Sequence, residues 1–413
     1  MLRVLFALIL CSSLYGTDHK LMLKFEQDVD IESILADYEV ESVKKLAHNP
    51  VYRVRLSSEL SRTELLNSIY SNTDNLSGAE IDQVASIVGG EGAAYIDTRP
   101  IVVLDEGTLE RSAELAVGES EAASFSGMYS QYYVTQTQSQ QCWAHTTGRN
   151  VIVALLDTGI DASHPFLQGN VSPNGYDFVD GDNDPSEERA DLDSNGNGIL
   201  DEGWGHGTHV AGIVKSVAPH VIILPIRVMD SDGRADLYTI IEGIQYALIN
   251  GADVINLSMS IVDPSPLLQE WLTIAKNANR VVITSAGNNN SSELDYPATE
   301  PEVITVTSIG PDNKKSSFAN YSRRVDVSAP GEDIISCLPG GAYVRRSGTS
   351  MAAPIVAGQV AIILELVPGA TLQYVSNRVI NNSLDIDSYN RGYRHKLGKG
   401  MVDFWNSITL QQQ

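Results

Sequence analysis

Leu21, Leu23 and Phe25 fall on one side of an alternating run whose other positions are Lys20, Met22 and Lys24, which is the period of a strand with one buried face. Ile31, Ile34, Leu35 and Tyr38 then recur at helical spacing behind Asp30, a side chain suited to capping a helix start. Residues 40–46 and 51–56 read as two more strands, and Ser61-Arg62-Thr63-Glu64 has the form of a capping box ahead of Leu65, Leu66, Ile69 and Tyr70. The order βαββα predicts a small α+β unit over residues 19–70. Residues 78–128, with Gly89-Gly90-Glu91-Gly92 and the run from Ser124 to Gly127, lack either period and read as a connector.

The rhythm changes at Val151. Residues 151–156, 221–228, 254–257, 281–285, 303–308 and 325–328 are short runs rich in apolar side chains, separated by stretches such as Ile240, Ile244, Ala247 and Leu248 at helical spacing. Strands without alternation suit a sheet buried on both faces, hence largely parallel with helical crossovers. Residues 355–366 are apolar nearly all round, which predicts a buried helix.

At the head of that helix stands Ser347-Gly348-Thr349-Ser350-Met351-Ala352-Ala353-Pro354. Gly348 is expected to adopt a backbone conformation that other residues resist, and Pro354 to sit in the helix's first turn. Ser350 would then lie at a helix N-terminus, whose free N–H groups favour a developing negative charge. A serine hydroxyl is a weak nucleophile and needs a base and an orienting acid. Gly205-His206-Gly207-Thr208-His209-Val210-Ala211-Gly212 supplies a histidine entering a second helix, and the strand 151–156 ends on Asp157.

These three blocks, in the order Asp, His, Ser, resemble the signatures of the subtilisin-like serine proteases. The resemblance covers about 132–408, where Gly398-Lys399-Gly400-Met401-Val402-Asp403 is similar to the family's closing segment. It implies an α/β fold with a largely parallel sheet and helices on both faces. The α+β unit ahead of it resembles the family's ferredoxin-like propeptide, a folding helper and temporary inhibitor. The organisation expected is a signal over 1–16, a propeptide with connector over 17–125 and a catalytic domain over 126–413.

The resemblance also implies roles. Asn288, in Ser285-Ala286-Gly287-Asn288, matches the oxyanion-hole position beside the catalytic Asp157, His206 and Ser350. Gly233, Arg234 and Ala235, with Ser258, Met259 and Ser260, match the two edge segments that hold an extended peptide. The family often has two glycines after the position of Met259, where this chain has Ser260 and Ile261. Asp295, before Tyr296-Pro297-Ala298, stands where the family has a small residue on the floor of the primary specificity pocket. A carboxylate there implies a preference for Arg or Lys before the scissile bond.

Asp193, Asn195, Asn197 and Asp201 follow an EF-hand-like spacing without its final glutamate, and calcium is the expected cofactor. A solvated acidic loop is the alternative. The family's common calcium site is in doubt, since Phe166 follows His164-Pro165 where an aspartate is usual. His209 and His164 read as structural.

The formal net charge of −24, from 52 Asp and Glu against 28 Lys and Arg, argues against nucleic acid or anionic lipid as partner. Met1-Leu2-Arg3 followed by apolar residues 4–10 resembles a secretory signal, so secretion without a transmembrane anchor is expected. Lipidation at Cys11 is a lesser alternative. Cys142 and Cys337 then remain, and their pairing is open. A monomer acting on polypeptides is expected, with its own propeptide as inhibitor. The rival readings are a serine esterase or amidase, disfavoured because no G-x-S-x-G elbow surrounds Ser350, and an idle binding protein of the same fold.

Overall fold

A computed structural model describes residues 18–81 apart from 37, 48, 59, 61 and 73–75, then 84–86 and 100–101, and 127–409 without 195 and 262. The signal expected over 1–16 and most of the connector therefore lie outside the described residues. The chain divides into two compact units, residues 1–82 and 83–413. Of the connector, the described residues 84–86 and 100–101 fall in the second unit.

The first unit runs β1 (Asp18–Phe25), α1 (Ile31–Ile34), β2 (Glu39–Lys45), β3 (Val51–Ser57), α2 (Arg62–Asn72) and β4 (Leu76–Ile81). Its sheet has the order β2-β3-β1-β4, antiparallel throughout, a ferredoxin-like arrangement closed by a strand that the alternation did not reveal. Asp30 caps α1 by accepting from the Ser33 N–H. That helix is only four residues long, so Tyr38 lies outside it and bonds through its hydroxyl to Ser68. Leu21, Leu23, Phe25, Val54, Leu56, Leu65 and Ile69 form its core.

The second unit contains β5 (Val84–Ser86), β6 (Pro100–Ile101), α3 (Tyr132–Gln136), α4 (Ser139–Cys142), β7 (Ile152–Asp157), β8 (Tyr176–Asp177) and α5 (His206–Val217). It continues with β9 (Ile222–Arg227), β10 (Arg234–Asp236), α6 (Leu237–Ile249), β11 (Val254–Leu257), β12 (Ser260–Ile261), α7 (Pro266–Asn277) and β13 (Val281–Ser285). It ends with β14 (Val303–Ile309), β15 (Val327–Pro330), the hairpin β16 (Ile334–Leu338) and β17 (Ala342–Arg346), α8 (Thr349–Leu366), α9 (Leu372–Asn381) and α10 (Phe404–Thr409).

Its main sheet has the order β15-β14-β13-β11-β7-β9-β8, and every pairing is parallel. β11, β13, β14 and β15 are buried at every position, so both faces are covered. Two helix pairs, α5 with α8 and α6 with α7, pack against it. Such a sheet presents its functional groups beyond the carboxyl ends of its strands. α8 is the only described helix long and apolar enough to cross a bilayer, but most of it is buried inside the protein, as a core helix is.

Candidate active site

β7 delivers Asp157 at its carboxyl end, 1% exposed. The start of α5 must come close to that strand end for His206 to reach it. Gly207 makes this possible, because a Cβ there would lie 2.1 Å from the Gly159 carbonyl oxygen and 3.1 Å from Asp157 Cβ. His206 Nδ1 then meets Asp157 Oδ1 at 2.7 Å, and the Thr158 N–H donates to the same oxygen at 2.8 Å. An aspartate so placed fixes the orientation of the ring and the tautomer it holds.

Ser350 is the second residue of α8 and is 4% exposed. Gly348 caps the helix at φ 166°, ψ 160°, an extended conformation open to any residue, so the expectation of a glycine-only backbone there does not hold. Pro354 also lies beyond the first turn, as the sixth helical residue. Its missing N–H would have bonded the carbonyl of Ser350. The Ser258 hydroxyl fills that place, donating to the Ser350 carbonyl at 3.1 Å, while Ser350 Oγ donates to the Ser258 carbonyl at 3.3 Å. The proline thus leaves an acceptor that ties the serine helix to the end of β11. For the Ser350 proton to reach His206, the hydroxyl would have to turn from Ser258.

Asn288 follows β13 and is 6% exposed. Its Oδ1 accepts from the N–H and the hydroxyl of Thr349, both at 2.9 Å, which turns the amide nitrogen away from Thr349. Thr349 is therefore the orienting partner of Asn288, a role that sequence reasoning missed although the residue sits beside Ser350.

The two edge segments expected to hold a peptide are β10 and the stretch from Ser258 to β12. A strand of the chain itself, β5, runs antiparallel between them, with Arg234, Ala235 and Asp236 opposite Ser86, Ala85 and Val84, and Ser260 and Ile261 opposite Ser86 and Ala85. Gly233 leads into β10 at φ 75°, and Met259 is buried. Asp295 is one residue from Tyr296, whose carbonyl accepts from the Ile261 N–H. Asn320 donates to its Oδ1 at 3.2 Å, whereas Oδ2 is buried without a partner. Burial raises the pKa of Asp295 against the pull of Asn289 and Asn320.

The oxygen donors of the acidic loop suit calcium, and the described ones bond backbone N–H groups of the loop itself. Asp193 accepts from the N–H groups of Asn197 and Gly198, and Asp201 from those of 190–192. Asn195 lies outside the described residues. Among the described residues no group of three His, Cys, Asp or Glu could hold a metal. Cys142 and Cys337 are free, buried thiols, pushed up in pKa by burial. His209 is fully buried, with Nε2 near the carbonyls of Ile334 and Val344, and burial holds its pKa well below the usual value. His164 bonds the Ala342 carbonyl and accepts from the Phe166 N–H.

Asp157, His206, Asn288 and Ser350 thus come from four separated segments to one end of a parallel sheet. Residues 148–404 match the model of the subtilase family. A thermophilic serine proteinase of Bacillus sp. (strain AK1) is 39% identical over 244 residues, 56% of this chain and 57% of that protein. Thermitase of Thermoactinomyces vulgaris is 38% identical over 243 residues, 56% of this chain and 81% of thermitase. The solved structure of a protease from Pseudoalteromonas arctica is 29% identical at a TM-score of 0.60, covering 67% of this chain and 95% of that one. With that match spanning the strands and helices that carry all four residues, the chain belongs to the subtilase family of serine endopeptidases.

Proposed function

We propose that the protein is a secreted, monomeric serine endopeptidase made as a self-inhibited zymogen. The catalytic part is supported by the 2.7 Å His206–Asp157 pair at the end of β7 and by Thr349, which joins Asn288 to the start of α8 beside Ser350. His206 takes the proton of Ser350 as Oγ attacks the peptide carbonyl, and Asp157 stabilises the imidazolium that forms. The Asn288 amide and the Ser350 N–H, at the open end of α8, donate to the oxyanion. His206 then protonates the leaving amine, and water repeats the sequence on the acyl-enzyme. Casein and peptide hydrolysis by the matured protein, absent in Ser350→Ala, tests this reading; ester cleavage with no peptide cleavage would favour the esterase alternative.

The inhibited state is supported by β5. It pairs with both edge segments through its main chain, as a peptide substrate would, and so fills the seat. Release of the segment that fills the seat requires a cut in the connector after β5, which is where self-processing is expected. Mass spectrometry of the mature N-terminus checks it. A mature chain that still begins before Val84 would refute the assignment.

A preference for basic residues before the scissile bond is supported by the buried, unpartnered Oδ2 of Asp295. A cationic side chain would pair with it and restore its ionised form. Fluorogenic peptides differing at that residue decide; Phe or Leu beating Arg tenfold would refute the preference. Calcium belongs to this reading as a stabiliser of the loop from Asp193 to Glu202 and takes no part in the chemistry.

A further inference from the structure

The N-terminus of α5 is closed by a carboxylate from outside the helix and outside the catalytic set. Glu187 Oε2 accepts from the Gly205 N–H at 2.9 Å. Its Oε1 accepts from the Thr208 N–H at 3.0 Å, the Thr208 hydroxyl at 3.2 Å and the Thr158 hydroxyl at 3.1 Å. The segment bearing it is anchored on β7's exit. The Ile160 N–H donates to the Pro185 carbonyl, and a Cβ on Gly159 would lie 2.7 Å from the Ser186 carbonyl oxygen.

Thr158 makes this more than a helix cap. Its hydroxyl has one proton and two carboxylates in reach, Glu187 Oε1 at 3.1 Å and Asp157 Oδ1 at 3.4 Å. Its oxygen is held by the Gly207 N–H at 3.0 Å, so the hydroxyl stays at this junction whichever carboxylate it serves. Asp157 Oδ1 already carries His206 Nδ1 and the Thr158 N–H. A third donor on that oxygen would draw electron density from the bond to His206.

We propose that Glu187 is a positioning residue for the Asp157–His206 pair: its carboxylate fixes the start of the histidine helix and, by taking the Thr158 proton, reserves Asp157 for His206. Two effects of its charge act in one direction. Ionised Glu187 keeps the Thr158 hydroxyl off Asp157, and it places a second negative charge at the start of the helix that bears His206. The other charged and titratable groups facing this junction are Asp157 on β7, His206 and His209 on α5, and Arg346 on β17. Arg346 is a buried cation whose Nη2 donates to the Trp204 carbonyl, so removing the charge of Glu187 would leave it less compensated and disfavour the imidazolium further. Although Glu187 is partly exposed as a residue, burial lifts its carboxyl to a pKa of about 7 against the pull of Gly205 and Thr208. Its charge is therefore present in alkaline assays and lost as the solution turns acidic.

This proposal rests on the endopeptidase reading and deepens it. The test uses matured wild type, Glu187→Gln and Thr158→Val, each titrated with a fluorophosphonate so that rates are per competent site. Glu187→Gln is expected to lower kcat on a fluorogenic peptide about tenfold at pH 8 with KM within twofold, and to move the acid limb of kcat/KM to lower pH by half a unit or more. Thr158→Val should move that limb in the same direction by less. Unchanged kcat and acid limb in Glu187→Gln would overturn the proposal and leave the residue a helix cap. Where Glu187→Gln gives no titratable sites, Thr158→Val decides, and an unmoved limb overturns it. A wild type that neither labels nor hydrolyses peptides would overturn the endopeptidase reading and this proposal with it.

Discussion

The two helices that carry the reactive side chains start differently. α5 begins with its N–H groups of Gly205 and Thr208 spent on Glu187, so its positive end is filled by a carboxylate of the protein itself. α8, like α5, begins with a glycine cap that offers no side chain, but no carboxylate closes it: the Thr349 N–H is spent on the Asn288 amide and the Met351 N–H on the Gly348 carbonyl. The first terminus must hold an imidazole still; the second must leave room for a charge that exists only during the reaction. Helix termini favour negative charge in either case. What differs is whether the protein or the substrate supplies it.

The largest break in this comparison is at the reacting groups. Ser350→Ala or His206→Ala should lower kcat on the order of a millionfold, the scale that subtilisin itself shows, with Asp157→Ala costing less. Near-normal turnover in either would remove the assignment. Next comes the open terminus. Asn288→Ala should cost about 10²–10³-fold in kcat with KM little changed, again a scale set by subtilisin. An equal loss of binding and rate would mean that Asn288 contacts substrate uniformly.

These two tests separate what was legible in the sequence from what was not. The four candidate residues Asp157, His206, Asn288 and Ser350 stood out because each is embedded in a contiguous motif beside a glycine turn or a strand end. The parallel sheet was legible too, since strands buried on both faces have no polar alternation. Glu187 was not. It sits in an acidic stretch, and its partners Gly205 and Thr208 are 18 and 21 positions away, joined to it only by the folding of the intervening loop. Pro354 was visible, but the hydroxyl of Ser258 that compensates it comes from 92 positions earlier than Ser350. β5 escaped because a three-residue strand is defined by its two neighbours and carries no pattern of its own.

Smaller effects sharpen the contrast further. Ser258→Ala strips the Ser350 carbonyl of its partner in a buried site and should cost about 1–3 kcal/mol of stability, read by urea unfolding; no loss would mean that water replaces the hydroxyl. Glu187 predicts a pH signature at α5. Its folded pKa, about 7, lies above the ordinary 4.5, so the folded state binds the extra proton between these values. The stability it contributes is complete below about pH 4.5 and is lost as pH rises towards 7. Relative to Glu187→Gln, the wild-type Tm should fall across that window, and a constant difference would mean that the carboxyl is not raised. Smallest is the acidic loop. Chelation should lower the Tm by a few degrees and leave kcat unchanged, whereas an unaltered Tm leaves 193–201 an acidic loop held by its own backbone.

The central claim is that this arrangement activates one serine. Fluorophosphonate treatment of the matured protein, followed by peptide mass mapping, tests it most directly. The account predicts a single adduct on Ser350, formed fast at pH 8, absent in Ser350→Ala and suppressed in His206→Ala. No adduct on a folded, matured chain, or an adduct that persists in Ser350→Ala, would contradict it.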